Sequence, residues 1–169
     1  MSLFSAAMAA QAAALALPPP VVLASARQSP RVLRSLIVVA AGGRDLDWSP
    51  TRVAVELKAR THGHLVQLLL HGGARGADWA IDTAAHRLGW AVEILRPDWL
   101  RFGRAAGPVR NGQMLRRALQ EASAHTLMAP TGVLVIAFPG QRGTASLVEQ
   151  ARRLEAGSPV PFQLHQIEV

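Results

Sequence analysis

LVQLLLHGGARGAD, residues Leu65 to Asp78, is the stretch whose reading decides the fold. Leu65 to Leu70 is a short apolar run interrupted only by Gln67, the pattern of a strand buried on both faces of a parallel sheet. His71 to Asp78 then supplies three glycines, one arginine and one carboxylate. Directly after it, Ile81, Ala84, Ala85 and Leu88 fall on one face of a helix. Strand, glycine turn and helix in that order make half of a βαβ unit.

The same unit recurs along the chain. Ser35 to Ala41 (SLIVVAA), Ala91 to Leu95 (AVEIL) and Val133 to Phe138 (VLVIAF) are further continuous apolar runs, and Val160 to Val169 is expected to add a last edge strand. Between them lie helical patterns. Ser49 and Pro50 form an N-cap followed by a first-turn proline, with Gly63 as the stop. Met114, Leu115, Ala118, Leu119 and Ala122 make another apolar stripe, and Leu147, Val148, Ala151 and Leu154 the last. The alternation predicts an α/β fold: a Rossmann-like, doubly wound, mainly parallel five-stranded sheet with helices on both faces and right-handed crossovers.

At 169 residues and 50% hydrophobic content the chain suffices for one domain with its own core. That domain is expected to span residues 35–169. Residues 1–26 carry no charge and are rich in alanine, and Pro18 to Pro20 break any helix over Ala6 to Leu17. Ala24-Ser25-Ala26 looks like a signal-peptidase site, yet no basic region precedes it and the apolar stretch is too short for a membrane span. Residues 1–34, ending in Arg27, Arg31 and Arg34, are therefore expected to be a disordered extension. No role at a membrane is expected.

Cysteine is absent, which removes disulfides, thiolate nucleophiles and cysteine-ligated metals, and the cytoplasm is the expected compartment. The net charge of +7 is carried almost wholly by arginine, because Lys58 is the lone lysine. Arginine presents a planar fork suited to phosphate and carboxylate. A compositional bias of the chain would give the same total, so only placement can assign the charge a role.

Placement is informative. Three apolar runs end in glycine-rich turns: GGRD (Gly42, Gly43, Arg44, Asp45), HGGARGAD (His71, Gly72, Gly73, Arg75, Gly76, Asp78) and FPGQRGT (Pro139, Gly140, Arg142, Gly143, Thr144). In a doubly wound sheet all three sit beyond the carboxyl ends of the strands, where open α/β sheets bind ligands. Glycine there permits positive φ and close approach of backbone N–H groups to an anion, and the following helix directs its positive end at the same point. Tight turns and close helix packing would also use glycine, but three turns on one edge, each with an internal arginine, favour phosphate binding. Neither the P-loop ending nor G-x-G-x-x-G with its distant acid is present, which disfavours an ordinary NTPase or dehydrogenase.

PDWLRFGRAAGPVRN, Pro97 to Asn111, is long for a βα connection and is expected to be a binding loop. It interleaves Trp99 and Phe102 with Arg101, Arg104 and Arg110, so an aromatic face can stack a base while arginines hold phosphate. Arg110 and Asn111 are expected to open the helix after Gly107-Pro108. His62 and His64 make an H-x-H pair around Gly63, read as a solvated turn; no metal site is expected.

In this order and spacing, GGRD, HGGARGAD, RPDWLRFGRAAGPVRN and AFPGQRGT resemble the YspA/cpYpsA-related branch of the SLOG superfamily. That superfamily also includes the DNA-processing protein A fold and the "lonely guy" phosphoribohydrolases. The likeness covers about Leu36 to Val160 and implies a Rossmann-like sheet whose glycine-rich turns bind a nucleotide or nucleotide-derived ligand. The "lonely guy" enzymes are similar at Pro139-Gly140 and Gly143-Thr144 but place a catalytic glutamate three residues after the threonine, where this chain has Leu147. Glu149 stands two residues further on, and Gln141 replaces a glycine of their motif.

The leading expectation is thus a soluble domain that holds a nucleotide or an ADP-ribose-like small molecule through these turns. No cofactor is expected beyond such a bound nucleotide. Whether it is an enzyme is left open: an N-glycosidic hydrolase would use Asp45 or Asp78 as general base or sugar-hydroxyl acceptor, with Arg44, Arg75 and Arg110 stabilising negative charge. Asp78 reads equally as a carboxylate complementing a helix dipole. A nucleic-acid-binding protein is the alternative of another class, disfavoured because the arginines gather in turns. The sequence leaves a homo-oligomer open.

Overall fold

The computed structural model describes residues 35–127 and 129–168. The expected extension over residues 1–34 lies outside the described residues. The elements run β1 (Ser35–Ala41), α1 (Pro50–Arg60), β2 (Leu65–His71), α2 (Ala77–Arg87), β3 (Val92–Ile94), α3 (Trp99–Phe102), a single 3₁₀ turn (Gly103–Ala105), α4 (Ala106–Thr126), β4 (Thr131–Ala137), α5 (Arg142–Glu155) and β5 (Phe162–Gln166). The sheet order is β3-β2-β1-β4-β5, and every pairing is parallel. The fold is therefore α/β and doubly wound in the Rossmann-like manner, with the whole sheet parallel rather than mainly so.

The side-chain period of a strand builds both faces at once. Leu36, Val38 and Ala40 of β1 pack with Val53 and Leu57 of α1 and with Ile81 and Ala84 of α2. Ile37, Val39 and Ala41 pack with Met114, Leu115 and Ala118 of α4 and with Leu147 and Ala151 of α5. All seven residues of β1 and of β4 are buried, which is why both read as unbroken apolar runs. β3 is shorter than the expected Ala91–Leu95, and β5 is confined to the middle of the expected Val160–Val169. Both are edge strands, where one missing neighbour removes the pairing that extends a ladder.

At α1 the Ser49 side chain accepts from the Arg52 N–H at 3.2 Å, the expected cap, and the helix ends at Arg60 before Gly63 turns with φ +75°. The expected loop over Pro97–Asn111 is instead largely helical. Asp98 caps α3 by accepting from the Arg101 N–H at 3.0 Å, and α4 begins at Ala106, upstream of Gly107-Pro108. Pro108 is the third residue of α4, where a backbone N–H has no intrahelical acceptor, so a proline removes nothing. Arg110 and Asn111 consequently stand in the second turn of α4 and do not open it. No helix among the described residues is long and apolar enough to cross a membrane.

Leu147 is fully buried in the cluster between α4, α5 and the sheet. Leu147→Ala is expected to lower the unfolding free energy by about 2 to 5 kcal/mol, the usual range for a buried leucine, as read from the denaturant midpoint at constant m-value.

Candidate functional site

β1 and β4 are neighbours, yet α1, which follows one, lies on the opposite face from α5, which follows the other. Their turns part at this point, and a crevice opens between them. The turns stay in contact at its base. The Gly43 N–H donates to the Pro139 carbonyl at 2.8 Å, and a β-carbon on Gly140 would lie 2.6 Å from the Gly43 nitrogen and 2.1 Å from Thr144 Oγ1. Only glycine fits at Gly140. Trp48, after the first turn, meets Phe138 edge-on at 6.1 Å and ties the turns together from below.

Above this contact lies a cavity of about 470 Å³. The β1 turn brings Gly42, Gly43, Arg44 and Asp45 to it, and the start of α2 brings Ala74 and Asp78. Trp99 of α3 and Arg104 of the 3₁₀ turn form part of the wall, with Gly107, Pro108, Arg110 and Asn111 of α4. The α5 start contributes Gln141, Arg142, Gly143 and Thr144. Arg104 was expected only as one of the phosphate-holding arginines of the Pro97–Asn111 loop, and Ala74, Gly107, Pro108 and Gln141 were not among the expected ligand residues. All five lie inside quoted motifs; for Gly107 and Pro108, which side of a helix they face depends on an α4 start that this glycine and proline disguise.

Three polar side chains here, those of Asp78, Arg110 and Thr144, carry buried atoms that are incompletely bonded. Asp78 is 2% exposed; its Oδ2 accepts from the Ala74 N–H at 3.0 Å. Arg110 Nη1 is 3.7 Å from that oxygen, an ion pair too long for a hydrogen bond. Among the described residues, the buried side-chain atoms without a hydrogen-bond partner are Asp78 Oδ1, Arg110 Nε and Nη1, and Thr144 Oγ1. All belong to residues lining the same cavity. Buried polar groups are ordinarily bonded, so a cluster of exceptions on one wall singles this cavity out as the candidate site. Burial lowers the Arg110 pKa from its ordinary value; Asp78 opposes the shift and the nearby Arg44 adds to it. The Arg44 guanidinium lies over the Trp99 ring, 5.6 Å from its centroid.

Three helices start at this cavity without a side-chain cap: α2 after Gly76, α4 after Ala105 and α5 after Gln141. The first N–H groups of a helix have no partner within it and carry its positive partial charge. Asn111 Nδ2 donates to the Gly143 carbonyl at 3.0 Å, and Gln150 Nε2 donates to the Pro108 carbonyl at 3.1 Å, so the first turns of α4 are tied both to the start of α5 and to its middle.

HGGARGAD is organised differently from the expected phosphate cradle. The Gly73 N–H donates to His71 Nδ1 at 3.2 Å, and the Ala74 N–H is held by Asp78, so two of its amides are already bonded within the turn. His71 is buried, and its Nε2 is 3.1 Å from Asp82 Oδ1; with Nδ1 accepting, Nε2 carries the proton and donates. Gly73 and Gly76 have positive φ. Gly72 does not, yet a β-carbon there would fall 0.8 Å from Arg110 Nη1. At Gly72 the side chain is missing because a guanidinium lies across the turn, and at Gly73 and Gly76 because the backbone takes positive φ.

Of the expected residues, His71, Gly72, Gly73, Arg75, Gly76, Pro139 and Gly140 are not on the main cavity wall. Gly72, Gly73 and Arg75 line an adjoining pocket, while Pro139 and Gly140 line a cleft toward β5 with Glu149 and Arg152. Leu147, where the resemblance seeks a catalytic glutamate, points into the core, and Glu149 pairs with Arg153 at the surface.

No family model matches the chain, and no solved structure matches it. The Gene 61 protein of Mycobacterium phage D29 is 32% identical to it over 115 residues, covering 64% of this chain and 78% of the phage protein. With that identity over most of the phage protein's length, this chain belongs to the same family as Gene 61 protein.

Proposed function

We infer that this domain binds a nucleotide or nucleotide-derived, ADP-ribose-like ligand at the carboxyl edge of its sheet, with arginines and helix starts receiving phosphate. The observation that carries the reading is the convergence of the unpartnered buried atoms of Asp78, Arg110 and Thr144 on one cavity. A volume of about 470 Å³ suits a ligand of nucleotide size. Arg110 and Thr144 match phosphate oxygens, as do the uncapped start of α5 and the backbone around Gly143. Asp78 Oδ1 can only accept while ionised, which suits a sugar hydroxyl, and Trp99 offers a face for stacking. The motifs that resemble the YspA/cpYpsA-related SLOG branch include all of these residues.

The test is thermal unfolding and titration with AMP, ADP, ADP-ribose and NAD. At least one is expected to raise the melting temperature, as mass action requires of a ligand that prefers the native state. Thr144→Val deletes a hydroxyl that has no protein partner, so the free protein is expected to melt no lower while affinity falls roughly two- to tenfold. Gly72→Ala is the sharper variant. It keeps every charge but swings Arg110 off its seat, and it is expected to weaken binding by about tenfold or more. Arg110→Ala is a poorer choice, because it removes the counter-charge of the buried Asp78 carboxylate altogether, at a cost of about 3 to 5 kcal/mol, whereas Gly72→Ala displaces that charge without deleting it. A wild type unshifted by every nucleotide, or variants that shift as it does, would overturn the reading. An oligonucleotide losing about 10³ to 10⁵ in affinity between roughly 50 and 200 mM salt would replace it with nucleic-acid binding.

A further inference from the structure

Beside the main cavity lies a second pocket of about 330 Å³, and the two share Arg44, Ala74, Trp99 and Arg110. The second pocket adds Arg75 and Arg96, the latter absent from the residues singled out in the sequence. Its floor is Gly72-Gly73. Arg110 lies across Gly72, and on the other side a β-carbon on Gly73 would come within 3.6 Å of Arg96 Cγ and 3.9 Å of its Cζ, with Ile94 Cγ2 nearer still at 2.7 Å. The paired glycines thus lower the floor beneath two guanidinium-bearing side chains.

Four arginines meet in this pocket, and no acidic residue lines it. Arg110 alone has a carboxylate within 4.0 Å, that of Asp78; Arg44, Arg75 and Arg96 form no ion pair among the described residues. Other arginines of the described residues, such as Arg52, Arg87 and Arg101, also lack an ion pair, but they do not share a pocket; what sets this place apart is that four guanidinium groups line one cavity. Like charges gathered without counter-charge repel, and an anion seated among them relieves that repulsion while accepting several charge-assisted hydrogen bonds. The effect of Arg44 on Arg110 is one trace of that repulsion.

We propose that this arginine pocket holds a second anionic group of the ligand in the main cavity, so that the ligand class is a nucleoside diphosphate or a diphosphate-linked nucleotide rather than a monophosphate. The proposal rests on the nucleotide-binding reading above. The ligand runs past Trp99 and Arg44, which border both pockets, with one phosphate at Arg110 and the α5 start and the next at Arg75 and Arg96.

The experiment titrates the mono- and diphosphates of adenosine, guanosine, cytidine and uridine into wild type, into Arg75→Ala/Arg96→Ala, and into Arg152→Ala/Arg153→Ala as a control of equal charge change on the far end of α5. For the nucleoside that binds best, the wild-type diphosphate is expected to bind about tenfold or more tighter than the monophosphate. That ratio is expected to fall to near one in Arg75→Ala/Arg96→Ala and to persist in the control. Arg75 and Arg96 are exposed, so their loss leaves the core intact. Equal binding of mono- and diphosphate by wild type, equal weakening of both in Arg75→Ala/Arg96→Ala, or collapse of the ratio in the control would overturn the second site while leaving nucleotide binding in place. If no nucleotide binds wild type, both readings fall together.

Discussion

Arg110 reaches from one face of the sheet to meet Asp78 from the other, and the organisation of the crevice depends on that encounter. α4 packs on the Ile37 and Val39 side of the sheet and α2 on the Val38 and Ala40 side, so their side chains can meet only beyond the strand ends. Asp78 is then held by the Ala74 amide, which fixes the HGGARGAD turn, and the turn leaves Gly72 bare so that Arg110 can lie flat upon it. Removing water from an ion pair is costly unless other bonds complete it, and here several of those bonds are not supplied by the protein. As a fastening the pair is incomplete, with Arg110 Nη1 3.7 Å from Asp78 Oδ2 and Asp78 Oδ1 without a partner.

Much of the architecture was legible because the relevant signals are local. β1 and β4 are unbroken apolar runs because both faces are covered, and Ser49-Pro50 marks the start of α1 by a contact spanning three residues. The α4 start was missed for an equally local reason: Gly107 and Pro108 are breakers within a helix but harmless in its first turn, and composition alone does not distinguish the positions. The edge strands β3 and β5 came out shorter than their apolar runs, since pairing, not composition, sets their ends.

The site was legible in its parts but not in its assembly. The three glycine turns were expected on one edge, and Gly43 and Gly140 do meet there. The reasons for the glycines differ, however, from one turn to the next. Gly140 admits the neighbouring turn, Gly76 takes a positive φ against the Arg44 carbonyl, and Gly72 makes room for a side chain 38 positions away. Nothing in a local window reports such a contact. Arg96 was passed over for the same reason, since its importance comes from neighbours supplied by other elements.

The uncapped helix starts have a consequence for attempts to harden this protein. Serine, threonine, aspartate or asparagine at an N-cap commonly contributes about 0.5 to 2 kcal/mol, and α1 and α3 use such residues where they begin. α2, α4 and α5 begin instead with Gly76, Ala105 and Gln141. A consensus-minded engineer would replace Ala105 and Gln141, since Gly76 leaves no room for a β-carbon, and at Gln141, which lines the cavity, the new side chain would bond the first amides of α5. Thermostability gained there would come at the expense of the crevice, so these helix starts are where robustness and an open cavity compete.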